Sequence, residues 1–447
     1  MQPSKLSPEP GLWAGAASAD LTPQTSVFLF GYPHVPRLST GVHDRHEAAA
    51  LYLRDGEGQA LFVATDLIFV GKKQAAEARL QISARTGVPV GAIVITSTHT
   101  HSGPVMVDYV SNSADPVVPK ADADYRRFVV GSIVEAGCTA VRAAVPAEAG
   151  LAVARAEGVG TNRHDPAGPA DPDVPVLLVR ARANKRTLAC MVAYAMHTTV
   201  LHEDSTLISG DFPHFTRQYL RDAGFVPEGV PILYHQGASG NQSPRHVTKA
   251  NTFAEAKRLG DRLGACIAAV IPGVAYSAAL PIRVAGAHLP LQVRQFPTVT
   301  AAENWAHEAK ARFDQLRTTG APRTAVRTAE CDWFGAEETV SLARAAADGR
   351  LEAAVNASSP AEVIVIALGA WKFVFWPGEF FVEYALTVKS RSPQTFVVTL
   401  ANGEVQGYIV TPEAAARGVY EATNALFSPE NGRRVVDATL ALLAAGD

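Results

Sequence analysis

Residues 60–70 read Ala60-Leu61-Phe62-Val63-Ala64-Thr65-Asp66-Leu67-Ile68-Phe69-Val70, and residues 92–96 read Ala92-Ile93-Val94-Ile95-Thr96. Between them, at residues 72–86, lies KKQAAEARLQISART. The outer runs are apolar and rich in β-branched and aromatic residues, which predicts strands. The middle run has the composition of a helix. The same alternation continues outward. Residues 174–183 and 187–194 flank Asn184-Lys185-Arg186 and read as a hairpin. Residues 253–271 have helical periodicity, while 362–375 and 395–400 read as buried strands. The expected fold is α/β, with layered mixed β-sheets flanked by helices in a single catalytic domain over residues 1–447. Residues 299–356 are rich in Ala, Arg and Glu, with helical patterns around 301–316 and 336–354, and are expected to form a helical insertion. Two stretches rich in Pro, Asp, Ala and Ser, 111–123 and 164–174, read as surface loops over a site.

Bulk composition narrows the function class. Apolar residues make up 47% and charged residues 19%, a globular balance. A formal net charge of −3 without a basic stripe argues against a nucleic-acid partner. Met1-Gln2-Pro3-Ser4-Lys5-Leu6-Ser7-Pro8 has no apolar run of the kind a signal peptide needs, and no uninterrupted apolar stretch predicts a membrane span. Cys138, Cys190, Cys266 and Cys331 lie far apart, with no C-x-x-C pair, and read as buried thiols of a reducing compartment. The expected location is cytoplasmic.

Chemistry concentrates in a few segments. Ser97-Thr98-His99-Thr100-His101-Ser102-Gly103-Pro104 follows the second predicted strand. In an extended chain positions i and i+2 share a face, so His99 and His101 can converge on one site. A bare H-x-H is also common in loops without a role. His197, in Ala195-Met196-His197, follows another strand; a buried histidine there needs a partner, which a metal or a hydrogen bond can supply. Glu379 sits in Phe375-Trp376-Pro377-Gly378-Glu379-Phe380-Phe381, where a carboxylate among so many apolar neighbours is costly unless paired or bound to metal. Gly237-Ala238-Ser239-Gly240-Asn241-Gln242-Ser243-Pro244 follows an apolar run and lets backbone N–H groups approach a ligand, with Ser243 presenting a hydroxyl. It has neither the spacing of a nucleophile elbow nor that of a phosphate loop. The H-x-H does not continue as a metallo-β-lactamase motif, and the eight-fold alternation of a barrel amidohydrolase is not apparent.

Together these segments resemble the neutral/alkaline (non-lysosomal) ceramidase family. The likeness begins at Ala14-Gly15-Ala16-Ala17-Ser18-Ala19-Asp20-Leu21-Thr22-Pro23 and continues through Gly41-Val42-His43-Asp44-Arg45-His46-Glu47. It runs on through the segments above, Asn162-Arg163, Ser209-Gly210-Asp211, Tyr408-Ile409-Val410-Thr411-Pro412 and Tyr420-Glu421. The resemblance implies a zinc amidase corresponding to the family's N-terminal catalytic region, without its C-terminal β-sandwich domain. It further implies one Zn2+ per chain, held by His99, His197, Glu379 and Tyr408. His101 would stand beside the metal, Arg163 and Tyr420 would hold the amide, Ser243 would be the catalytic serine, and Asp211 would orient a ligand. The expected substrate is a small-molecule N-acyl amide, ceramide-like or smaller, attacked by zinc-activated water or by Ser243. An esterase or lactonase on the same site, or a non-catalytic protein that kept the fold, are the alternatives.

Overall fold

The computed structural model describes residues 11–56, 58–113 and 115–446; the segment read above for a signal peptide lies outside them. Two sheets stack face to face, each backed by helices. The larger has eight strands: β1 (Leu12–Asp20), β2 (Glu47–Asp55), β3 (Gly58–Thr65), β4 (Ile93–Ser97), β5 (Val145–Arg155), β6 (Asp173–Ala181), β7 (Thr187–Tyr194) and β8 (Ile232–Gln236). Their order across the sheet is β8-β7-β6-β5-β1-β2-β3-β4. Most neighbours are antiparallel, but β3 runs parallel to β4 and β7 runs parallel to β8. The smaller sheet holds β9 (Ile282–Leu289), β10 (Ala361–Leu368), β11 (Trp371–Phe375) and β12 (Thr395–Val398), in that order. Its last pair, β11 and β12, is also parallel.

The period of two along each strand separates the layers. In β2, Ala49, Leu51 and Leu53 face the smaller sheet, joining Phe62, Val94, Ile364, Ile366, Phe373 and Phe375. Ala48, Ala50 and Tyr52 face the other way, onto α1 (Lys72–Thr86) and α2 (Ala123–Arg142). The other half of that face is covered by α3 (Asp211–Asp222) and α4 (Phe253–Val270). Strands buried on both faces must be apolar throughout, which is why they read as continuous runs rather than alternating ones. The expected layered α/β fold is what forms.

Several boundaries differ from the expectation, each for a local reason. The run 60–70 stops being strand at Thr65; Asp66 turns inward to bind Arg217, its carboxylate accepting from both guanidinium nitrogens at 2.8 and 2.6 Å. The apparent strand 362–375 is two strands, folded back at Gly369, whose φ of 61° suits glycine. The helical region holds three helices, α5 (Val299–Thr318), α6 (Arg323–Ala347) and α7 (Leu351–Ser358), broken at Gly349 with φ 70°. They are inserted between the paired strands β9 and β10. Of the four free cysteines three are buried, and Cys266 is only half-buried. No helix among the described residues is long and apolar enough to cross a membrane.

The Asp66–Arg217 pair ties the end of β3 to α3 where neither side chain reaches solvent. Burial would raise the Asp66 carboxyl, but the Arg217 guanidinium more than offsets this and holds it below the ordinary carboxylate range. Asp66→Asn strands a buried guanidinium and is expected to cost about 3–5 kcal/mol in urea denaturation; a loss below about 1 kcal/mol would show the pair to be dispensable.

Candidate functional site

Five of the site segments lie past the carboxyl ends of strands in the parallel pairs of the two large sheets. His99 follows β4, His197 follows β7, the 237–243 turn follows β8, Glu379 follows β11, and Tyr408 lies beyond β12. Ligands collect at such strand ends in α/β sheets because connecting loops there are free to vary while the strands hold them in place. The two sheets are joined at these ends. Thr399 N–H donates to Gln236 O at 2.8 Å, and Asn402 N–H to Ile95 O at 2.7 Å.

His99 and His101 do converge, but not through strand alternation. β4 ends at Ser97, and His99 adopts a left-handed φ of 64°, uncommon for a side chain with a Cβ. That turn brings His99 Nε2 to 3.3 Å from His101 Nε2. Glu379 Oε2 lies 3.2 Å from His99 Nε2 and 3.0 Å from His197 Nε2. Yet Glu379 Oε2 and His197 Nε2 are buried without hydrogen-bond geometry to any partner. Each ring is fixed from behind by a backbone carbonyl: His99 Nδ1 to Ile68 O, His101 Nδ1 to Gly31 O, and His197 Nδ1 to Ser239 O at 2.7 Å. A carbonyl can only accept, so Nδ1 carries the proton in all three and Nε2 is the atom turned to the cluster. Gly31 must be glycine here, since a Cβ would lie 2.3 Å from His101 Nδ1.

Burial, then the neighbouring histidines, hold His101 well below its usual proton affinity; burial and then Arg163 bring His197 down to about 4. Burial would raise Glu379, but His99 and His197 reverse this and keep it ionised. A buried carboxylate oxygen and an imidazole Nε2 left without hydrogen-bond partners, beside two further Nε2 atoms turned the same way, are groups that could serve as donors to a cation. His99, His101 and His197 by themselves place nitrogens within 4.8 Å of one another, a group that could hold a metal ion. Glu379 is paired in parallel register with Tyr408, which puts the phenol beside the carboxylate. Burial and the Glu379 charge raise Tyr408 well above the ordinary phenol range, and a cation beside it would oppose that effect.

Arg163 faces the rings of Tyr408 and Tyr420, 5.3 and 5.7 Å from their centroids, and donates to Gly240 O at 2.7 Å. Its ion-pair partner is Glu421, buried and also 3.0 Å from His164 Nε2. Sequence reading gave Glu421 no role; an acid next to a predicted site tyrosine, at a helix start, was the available signal. Ser243 caps the turn Pro244–His246, its Oγ accepting from Arg245 N–H at 3.1 Å. No imidazole or carboxylate hydrogen-bonds to that hydroxyl among the described residues. Asp211 is not where a ligand orienter would be. It is buried, with φ 56°, and its carboxylate accepts from the backbone N–H of Val200, Leu201 and Phe212. It braces the loop after His197, and carbonyls hold the imidazoles instead.

Two cavities meet at His101, Tyr408 and Tyr420. One, of about 610 Å³, reaches His99 and Glu379 and has Phe30, Ile68, Phe69, Tyr109, Val118 and Phe334 in its wall. The other, of about 550 Å³, reaches His197, Arg163 and Ser243. Helix α6 walls both, and the loop at 111–118 borders the first. The 164–174 loop borders neither. Trp333 of α6 stacks on His34 at 4.8 Å, tying the insertion to the loop that carries Gly31.

Residues 13–216 match the family profile described as neutral/alkaline non-lysosomal ceramidase, N-terminal. The fold is that of a neutral ceramidase from Pseudomonas aeruginosa, with a TM-score of 0.75 at 17% identity over 97% of this chain and 74% of that one. A ceramidase solved in complex with C2 gives 0.74 at 15% identity, over 97% of this chain and 75% of that one. No curated protein matches by sequence.

Burial would raise Glu421, but Arg163 and then His164 bring it down to about 2. A carboxyl depressed on folding stabilises the native state above its unfolded value of about 4.3. That stability is lost as pH falls through about 2. Glu421→Gln is expected to cost about 3 kcal/mol at neutral pH and to flatten the acid limb of a stability–pH curve; an unchanged acid limb would show that another carboxylate sets it.

Proposed function

We propose, on the premise of the family match over residues 13–216 and the ceramidase fold of the whole chain, that this protein is a zinc-dependent hydrolase of an N-acyl amide. The observation that carries the reading is the meeting of His99, His197 and Glu379, with inward-facing nitrogens and an ionised carboxylate, at the junction of two cavities. His99, His197, Glu379 and Tyr408 would hold the ion, with His101 beside it. Zinc in that place supplies Lewis acidity toward a carbonyl oxygen or a water molecule.

The remaining roles belong to the chain itself. The amide carbonyl lies at the cavity junction, where the Arg163 guanidinium and the Tyr420 hydroxyl face oxygen charge as it develops. Arg163 stays protonated throughout, since the buried Glu421 charge offsets the effect of its own burial. His101, only partly buried and held neutral, can accept a proton at Nε2 and return it to the leaving nitrogen. Ser243 borders the second cavity and would act either as nucleophile or as hydroxyl donor to the carbonyl. The apolar cavity suits an acyl chain.

Purified protein is expected to contain about one zinc per chain and to cleave N-acyl amides in a chelator-sensitive manner. His197→Ala should lose metal and hydrolysis together; stoichiometric zinc retained in that variant would overturn the ligand set. Ser243→Ala should keep zinc while its kcat falls about 100-fold, and an undiminished kcat would remove the hydroxyl from the reaction.

A further inference from the structure

The two cavities differ in charge. Around the first, Asp115, Glu303, Glu337, Glu338 and Glu379 outnumber Lys310 and Arg344. Around the second, Arg163, Arg245, Arg323 and Arg327 face only Glu203 and Glu330. Pairing leaves one partly buried cation of the second cavity open. Arg163 is neutralised by Glu421, and Arg327 by Glu330 at 2.5 Å with Glu203 at 3.5 Å. Arg245 has no carboxylate within ion-pair distance among the described residues, although its charge is felt by Asp332. Its guanidinium hydrogen-bonds only to neutral groups, Thr328 Oγ1 at a long 3.5 Å and Cys331 Sγ at 3.4 Å. The nearby Asp332 is engaged 3.7 Å from Arg312. Arg323, at the exposed rim, is bound by Asn251.

We infer that the amine half of the substrate carries a carboxylate, and that Arg245 binds it, making the substrate an N-acyl amino acid rather than an N-acyl amino alcohol. The inference rests on the amidase reading above. With the acyl chain in the apolar cavity, the amine half must occupy the second one, because the cavities meet at the residues that flank the scissile bond. Arg245 stands two residues from Ser243 and borders that cavity, as does Ser243 itself. In an N-acyl amino acid the carboxylate is two bonds from the amide nitrogen, so it lies close to the junction. A half-buried guanidinium whose hydrogen bonds go only to neutral groups can form a bidentate pair with such a group. A carboxylate placed in the first cavity would meet the excess of acidic groups there, which fixes the orientation.

The test compares N-octanoyl glycine with N-octanoyl ethanolamine, matched in acyl length and differing in the terminal charge. Zinc-loaded enzyme is expected to favour the glycine conjugate about tenfold or more in kcat/KM. Arg245→Met should bring that ratio close to one, chiefly through KM, and Arg245→Lys should restore part of it. A second readout does not depend on turnover: calorimetric binding of the ketomethylene isosteres, in which CH2 replaces the amide N–H. The acidic isostere should bind about tenfold more tightly than the alcohol in wild type and about equally in Arg245→Met. Equal or better cleavage of the ethanolamide by wild type, or a ratio unmoved by Arg245→Met, overturns the inference while leaving the amidase reading intact. Cleavage of neither conjugate, with no binding of either isostere, removes the amidase reading itself. If Arg245→Met does not fold, the wild-type ratio and the Arg245→Lys ratio still decide.

Discussion

A carboxylate buried against imidazole nitrogens is the constraint on which this site depends. Glu379 is 6% exposed, and the nitrogens nearest it belong to His99 and His197, whose segments are far apart in the chain. Bringing these groups together removes a full charge from water, at a cost of several kcal/mol unless something of opposite charge compensates. The fold must therefore hold each group in place against its tendency to disperse. It does so with backbone carbonyls behind the rings, a left-handed turn at His99, and strand pairing between Glu379 and Tyr408.

That rigidity has its source in the sheets. The segments that carry His99, His197, Ser243, Glu379 and Tyr408 lie beyond the ends of strands in parallel pairs, and those strands are largely buried on both faces. The backbone hydrogen bonds between Thr399 and Gln236, and between Asn402 and Ile95, clamp the two sheets at the level of the site. Asp211, which touches none of the imidazoles, belongs to this same scaffold through the loop after His197. Removal of such a group would act on the position of His197 rather than on its chemistry.

The helical insertion gives the site its enclosure. α6 contributes Phe334 to the wall of both cavities and stacks Trp333 on His34, next to the loop whose Gly31 fixes His101. Enclosure in this form sets an acid-rich space against an arginine-rich one, the two meeting at His101, Tyr408 and Tyr420. A ligand with unlike halves would be oriented by that contrast, since each half would be disfavoured on the wrong side by desolvation or by like charge.

Much of this was legible in the residues themselves. Apolar runs of strand length, helical periodicity and the Asn184-Lys185-Arg186 turn determined the layered α/β class, because burial on both faces leaves a compositional record. His99, His197 and Glu379 were legible as candidates because polar groups among apolar neighbours demand partners. The tertiary structure alone decided what those partners are. The carbonyls of Ile68, Gly31 and Ser239 have no sequence mark, since every residue has a carbonyl. The left-handed turn at His99 replaced the expected strand geometry, and Glu421 became the partner of Arg163 across 258 positions of sequence. Sequence records which groups cannot stand alone in a core; only the packed chain determines which of them meet, because that depends on register and sheet order, which local pattern does not encode.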